Sequence, residues 1–159
     1  MNINIIAVGK IKEKYMREGI KEFEKRLSRY CNLKIIELED EKAPEKLSQK
    51  DMEIVKEKEA RKILPKIPPS SYIISLEIIG KEISSEKMSE KIENLMVDGV
   101  NNITFIIGGS LGLSKEISKI SNFKLSFSKM TFPHQLMRLI LLEQVYRSFR
   151  IMKNEPYHK

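Results

Sequence analysis

Ile103-Thr104-Phe105-Ile106-Ile107-Gly108-Gly109-Ser110-Leu111-Gly112, followed by Lys124-Leu125-Ser126-Phe127-Ser128-Lys129-Met130-Thr131-Phe132-Pro133-His134, decides the fold. The run Ile103–Ile107 is short and apolar, the pattern of a strand buried on both faces of a sheet. It stops in a glycine loop. A second strand, Lys124–Phe127, ends in a turn that opens a helix running to about Lys153. Two loops thus leave two strand ends. In an open parallel sheet, ligands bind outside the carboxyl ends of the strands.

Outward from this stretch, strands alternate with helices. Asn2–Val8 reads as a strand. Lys14–Arg29 carries Tyr15, Met16, Ile20, Phe23 and Leu27 near a 3.6-residue period, hence a helix. Leu33–Leu38 is a strand, and Glu39–Lys50 a charged connection containing Pro44. Ser48 suits a helix cap, with Asp51 three residues on, and Pro65, Pro68 and Pro69 stop that helix after Leu64. Tyr72–Leu76 is a strand, and Ser84 or Ser85 starts a helix that ends near Asp98-Gly99. Ser114–Lys119 fits a short helix. The alternation implies one α/β domain over residues 1–159, a mostly parallel sheet with helices on both faces.

The last helix stands apart. Leu136, Met137, Leu139, Ile140, Leu141, Leu142, Val145, Tyr146 and Phe149 leave no wide polar face through its middle. Such a helix is buried on more than one side. One side packs on its own sheet. The other packs on a second subunit or, alternatively, inside the same chain.

Composition narrows the function. Cys31 is the single cysteine and there are two histidines, so neither an internal disulfide nor a Cys/His metal site is expected. Met1–Val8 is too short for a signal peptide and no long apolar run could span a membrane, which points to the cytoplasm. Net charge is +7. Residues 1–113 hold 20 basic and 19 acidic side chains, whereas residues 114–159 hold 9 and 3. The excess therefore lies near the C-terminus, where a polyanion would be drawn.

The glycine loop matches neither the P-loop nor the dinucleotide fingerprint, and a plain turn explains it as well as a ligand does. Phe127–His134 is more specific, and its Pro133 suits the first turn of the helix that follows. Its backbone amides and the Met130/Phe132 wall suit adenine or a thioether. His134 sits in a first helical turn, where the helix dipole favours the neutral imidazole. It is a candidate base, with a capping or stacking role as the competing reading. Arg138, Arg147, Arg150 and Lys153 are candidate phosphate contacts, against plain surface charges.

Gly108-Gly109-Ser110-x-Gly112, Leu125–Gln135, Glu143-Gln144-x-Tyr146-Arg147 and Tyr157-His158-Lys159 together resemble the RlmH family. These are SPOUT-class methyltransferases of N3 of a pseudouridine in 23S ribosomal RNA. The likeness covers the whole chain, including Ala7-Val8-Gly9-Lys10 and Asp40-Glu41-Lys42-Ala43-Pro44, and departs at Leu111, where a polar residue is common. It implies a C-terminal trefoil knot, a homodimer and a ribosomal substrate. It also implies S-adenosylmethionine held by Leu76, Gly108, Phe127, Ser128, Lys129, Met130, Thr131 and Phe132. Tyr157, His158 or His134 would assist loss of the imide proton, and Lys159 would join the RNA contacts. A noncatalytic RNA-binding module and another nucleotide-dependent transferase are the alternatives.

Overall fold

The computed structural model describes all 159 residues. Five strands, β1 (Asn2–Val8), β2 (Asn32–Leu38), β3 (Tyr72–Glu82), β4 (Asn102–Ile107) and β5 (Phe123–Ser126), pair in the order β2-β1-β4-β3-β5. Every pairing is parallel. The helices are α1 (Lys14–Leu27), α2 (Gln49–Ile63), α3 (Ser85–Val97), α4 (Lys115–Ile120) and α5 (His134–Met152).

The two central strands are apolar on both sides because both sides are covered. Ile3, Ile5, Ala7 and Phe105 face a core shared with Met16 and Ile20 of α1, Met88 and Ile92 of α3, and Leu141, Leu142, Val145 and Phe149 of α5. Ile6, Val8 and Ile106 face the opposite core, with Ala60 and Ile63 of α2 and Ile117 of α4. Ser48 and Asp51 form a reciprocal capping box at α2, and the Ser84 hydroxyl caps α3.

Three sequence expectations change. β3 runs to Glu82 instead of stopping at Leu76. Leu76 and Lys81 both register with Leu125, so the intervening residues bulge out, leaving Ile79 87% exposed. The strand then closes so tightly on β5 that a Cβ on Gly80 would lie 2.7 Å from the Lys124 carbonyl oxygen. Second, Pro133 is the N-cap of α5 and not a residue of its first turn. Third, the middle of α5 is buried within this chain, against α1 and α3, with the Ser89 hydroxyl donating to the Ser148 carbonyl at 2.8 Å. Among its apolar residues, Leu136, Met137, Leu139 and Ile140 at the start and Ile151 and Met152 at the end stay partly open.

Arg138 is a correction of another kind. It is 1% exposed, pairs with the Glu37 carboxylate, and donates to the Gly9 carbonyl at 2.8 Å. A sealed guanidinium cannot hold a phosphate, so Arg138 is structural. It binds the first turn of α5 to the ends of β1 and β2. Gln135 adds a second tie by accepting from the Lys12 amide at 3.2 Å. Arg138→Ala removes the guanidinium from the Gly9 carbonyl and from Glu37, which keeps only the Ile11 amide at 3.0 Å, and urea denaturation is expected to show a loss of about 2 kcal/mol.

Candidate functional site

The bulge within β3 and the loops that leave β4 and β5 meet the first turn of α5 around a cavity of about 700 Å³. Each wall has a local cause. After β4 the chain folds back on itself. Gly112 takes a φ of +85°, its amide donates to the Gly109 carbonyl at 3.1 Å, and the two residues form an antiparallel bridge. A Cβ on Gly108 would lie 2.8 Å from the Gly112 carbonyl carbon and oxygen. Behind the loop the buried carboxylate of Glu59 would stand 3.1 Å from a Cβ on Gly109, and burial pushes its pKa up. The loop is thus closed to side chains from two directions.

The wall after β5 is held by its own hydroxyls. Ser126 donates to the Ser128 carbonyl at 3.1 Å, and the Met130 amide donates to the Ser128 hydroxyl at 3.0 Å. From β3 come Leu76 and Glu77. Glu77 is the one acidic or basic side chain, histidine aside, in a lining otherwise built of apolar side chains, hydroxyls and backbone. Its carboxylate accepts from Ser75 at 2.6 Å and from Ser118 at 3.1 Å.

Of the residues expected to hold a cofactor, Leu76, Gly108, Phe127, Ser128, Met130, Thr131 and Phe132 line this cavity. Lys129 does not; it is exposed outside. His134 is in the wall, its ring nitrogen 2.7 Å from where a Cβ on Gly9 would be. Burial, foremost, and then the Arg138 charge lower its pKa, with Asp40 opposing. The imidazole is therefore neutral as the sequence suggests, but through burial more than through a helix dipole.

Tyr157 and His158 lie elsewhere. Tyr157 packs edge-on to Tyr146 at 5.0 Å and donates to Glu143 at 3.1 Å, while His158 contacts Glu86 at 2.7 Å and Arg147 at 3.2 Å. Glu143 is nine residues beyond His134, about 14 Å along the helix. One chain therefore separates its own C-terminal segment from its own cavity. Arg147 is engaged with Glu143, and Arg150 with Glu155 and the Tyr30 hydroxyl. Among the expected phosphate contacts, Lys153 and Lys159 remain exposed.

Sequence reading missed Glu77, Ile78, Ile79 and Met137 as wall residues. The polar Glu77 interrupts the apolar run of β3 and so looked like its end. A helical partner for Arg147 was visible in the four-residue spacing from Glu143.

A family model described as a predicted SPOUT methyltransferase matches residues 1–158. The chain is 62% identical, over 159 residues and the full length of both chains, to the ribosomal RNA large subunit methyltransferase H of Clostridioides difficile. The same identity and coverage hold for the protein of that name from Finegoldia magna. A probable methylase family protein from Haemophilus influenzae Rd KW20 shares the fold, with a TM-score of 0.54 at 12% identity over 99% of this chain and 70% of that one.

Two outcomes follow from the site geometry. Gly108→Ala forces a methyl group against the Gly112 backbone, so calorimetry is expected to show cofactor affinity reduced at least tenfold, about 1.4 kcal/mol, while circular dichroism stays native. His134 has a folded pKa below its ordinary value near 6.5, so the unfolded chain takes up the proton first as pH falls. Its stability contribution is present above that pH and is lost on acidification. His134→Gln is expected to flatten this part of the pH–stability curve measured by urea denaturation.

Proposed function

The chain belongs to the SPOUT methyltransferase family, and on that premise we propose that it methylates N3 of a pseudouridine in 23S ribosomal RNA. The methyl donor is S-adenosylmethionine, the substrate is the assembled ribosome, and the enzyme works in the cytoplasm as a homodimer. The observation that carries this reading is the convergence of the β3 bulge and two strand-end loops, with seven of the eight expected cofactor residues, on one cavity in a chain 62% identical to named rRNA methyltransferases.

The residues fit the donor. Backbone groups of Gly108 and Phe127–Phe132, with Leu76, offer an apolar slot edged by amides, and Glu77 offers one negative charge to a cation. When bound, S-adenosylmethionine supplies a methyl group already activated on a sulfonium. The protein's work is alignment, exclusion of water and proton handling. Neutral His134 and the Glu77 carboxylate are the wall groups able to accept a proton. Ile78, Ile79 and Met130 are 54%, 87% and 71% exposed around the cavity, and covering them would exclude water from the methyl group.

A second subunit supplies that cover in this reading. The open apolar residues at the start of α5 favour closed twofold pairing. The distance between each cavity and its own C-terminal segment favours a site completed by the partner's segment. The trefoil knot belongs to the same proposal. β5 pairs outside β3, yet His134 rests against Gly9 at the end of β1. Residues 127–133 must therefore cross the ends of β3 and β4. Lys153 and Lys159 offer exposed charge to phosphates.

The direct test is transfer of a labelled methyl group to ribosomes, with the modified nucleotide mapped; no label in large-subunit RNA would refute the proposal. The composite site is tested by mixing two inactive variants, one lacking residues 157–159 and one carrying the bulkier Gly108→Val. Heterodimers confirmed by native mass spectrometry are expected to regain one working site of two. Verified heterodimers without activity would show that each site uses its own segment.

A further inference from the structure

Tyr157 and His158 belong to one continuous hydrogen-bond chain laid across α3 and α5. Glu86 Oε1 lies 2.7 Å from His158 Nε2, and Arg147 Nη1 lies 3.2 Å from His158 Nδ1. Chemistry assigns the roles. A guanidinium has donors only and does not deprotonate, so Nδ1 presents its lone pair to Arg147. A carboxylate is an acceptor only. Glu86 stays one, because its own backbone amide, the Ser84 hydroxyl and His158 pull its pKa down to about 2. Nε2 therefore carries the ring proton and donates it to Glu86. Both ring nitrogens are engaged.

The rest of the chain of contacts points the same way. Arg147 also donates to Glu143 from Nε at 3.0 Å and Nη2 at 2.6 Å, and its guanidinium lies 4.7 Å from the centre of the Tyr157 ring. Tyr157 gives its hydroxyl proton to that same Glu143 oxygen at 3.1 Å. Burial, with Glu143 next, raises the tyrosine pKa. Neither tail side chain has a free basic atom, and each is fixed in orientation by charged groups of its own subunit.

We propose that Glu86 and Arg147 lock His158 as its Nε2–H tautomer, making Glu86 a positioning residue and the Tyr157-His158 pair a preset wall for the RNA rather than its proton acceptor. The acceptor is then sought in the cavity, where His134 stands. That functional half rests on the methyltransferase reading above. The tautomer lock does not.

The chain has two histidines, so long-range proton–nitrogen NMR of the labelled full-length protein can resolve each ring. His158 is expected as Nε2–H with an unprotonated Nδ1, and Glu86→Ala is expected to release it into a mixture of tautomers. His158 seen as the Nδ1–H form, or already mixed in the wild type, would overturn the lock. Ribosome methylation across pH 6 to 9 reads the functional half. His158→Ala and Glu86→Ala are expected to lower the rate about tenfold or more through misplacement, with the shape of the pH profile unchanged and no further loss in the double variant. His158→Gln, whose amide nitrogen can still donate to Glu86, is expected to recover part of that rate. Loss of a titrating limb in His158→Gln would instead identify a base and reject the proposal. If the wild type methylates no RNA, the proposed function fails, and the NMR experiment still decides the lock.

Discussion

Arg138 sets the geometry on which the site depends. Burying a charge costs several kcal/mol unless it is paired and hydrogen-bonded, and this guanidinium is enclosed at the base of α5 against Glu37 and the Gly9 carbonyl. The helix therefore starts over the end of β1. The strand before it, β5, is at the far edge of the sheet, beyond β3. Seven residues must cover the distance between, and their only course is across the carboxyl ends of β3 and β4. That crossing supplies the cavity's third wall and carries His134 into place beside Gly9.

The resulting fold separates the cavity from the aromatic and basic groups of the C-terminal segment. Its walls offer backbone, apolar side chains, hydroxyls and a single carboxylate, a combination that suits an uncharged heterocycle joined to a cation. The basic and aromatic groups gather at the other end of α5, tied down by Glu86, Glu143 and Glu155. A helix of nineteen residues keeps the two sets apart. In the proposed reading, a second chain's α5 end meets the cavity of the first.

Much of the fold was legible because its signals are local. The Ser48–Asp51 cap, the proline stop after α2 and the doubly apolar β4 each act within a few residues. The course of β3 was not legible, because its continuation after the bulge depends on pairing with Leu125 and Ser126 and on a close approach at Gly80. The cavity loops were legible from the strand-end rule, whereas Glu77 was not, since its partners Ser75 and Ser118 come from β3 and α4. The arginines of α5 were the hardest to read. Arg138, Arg147 and Arg150 look alike as basic residues on one helix, and only the folded chain shows that each already has an acidic partner.

The central claim is that the β3 bulge and the loops after β4 and β5 form the methyl donor's seat. Hydrogen exchange of the full chain, with and without S-adenosylmethionine, tests it most directly. The account requires slowed exchange in residues 76–79, 108–113 and 127–132 together. Slowing confined to the amino end of the sheet, around Cys31, or no slowing at saturating donor, would contradict it.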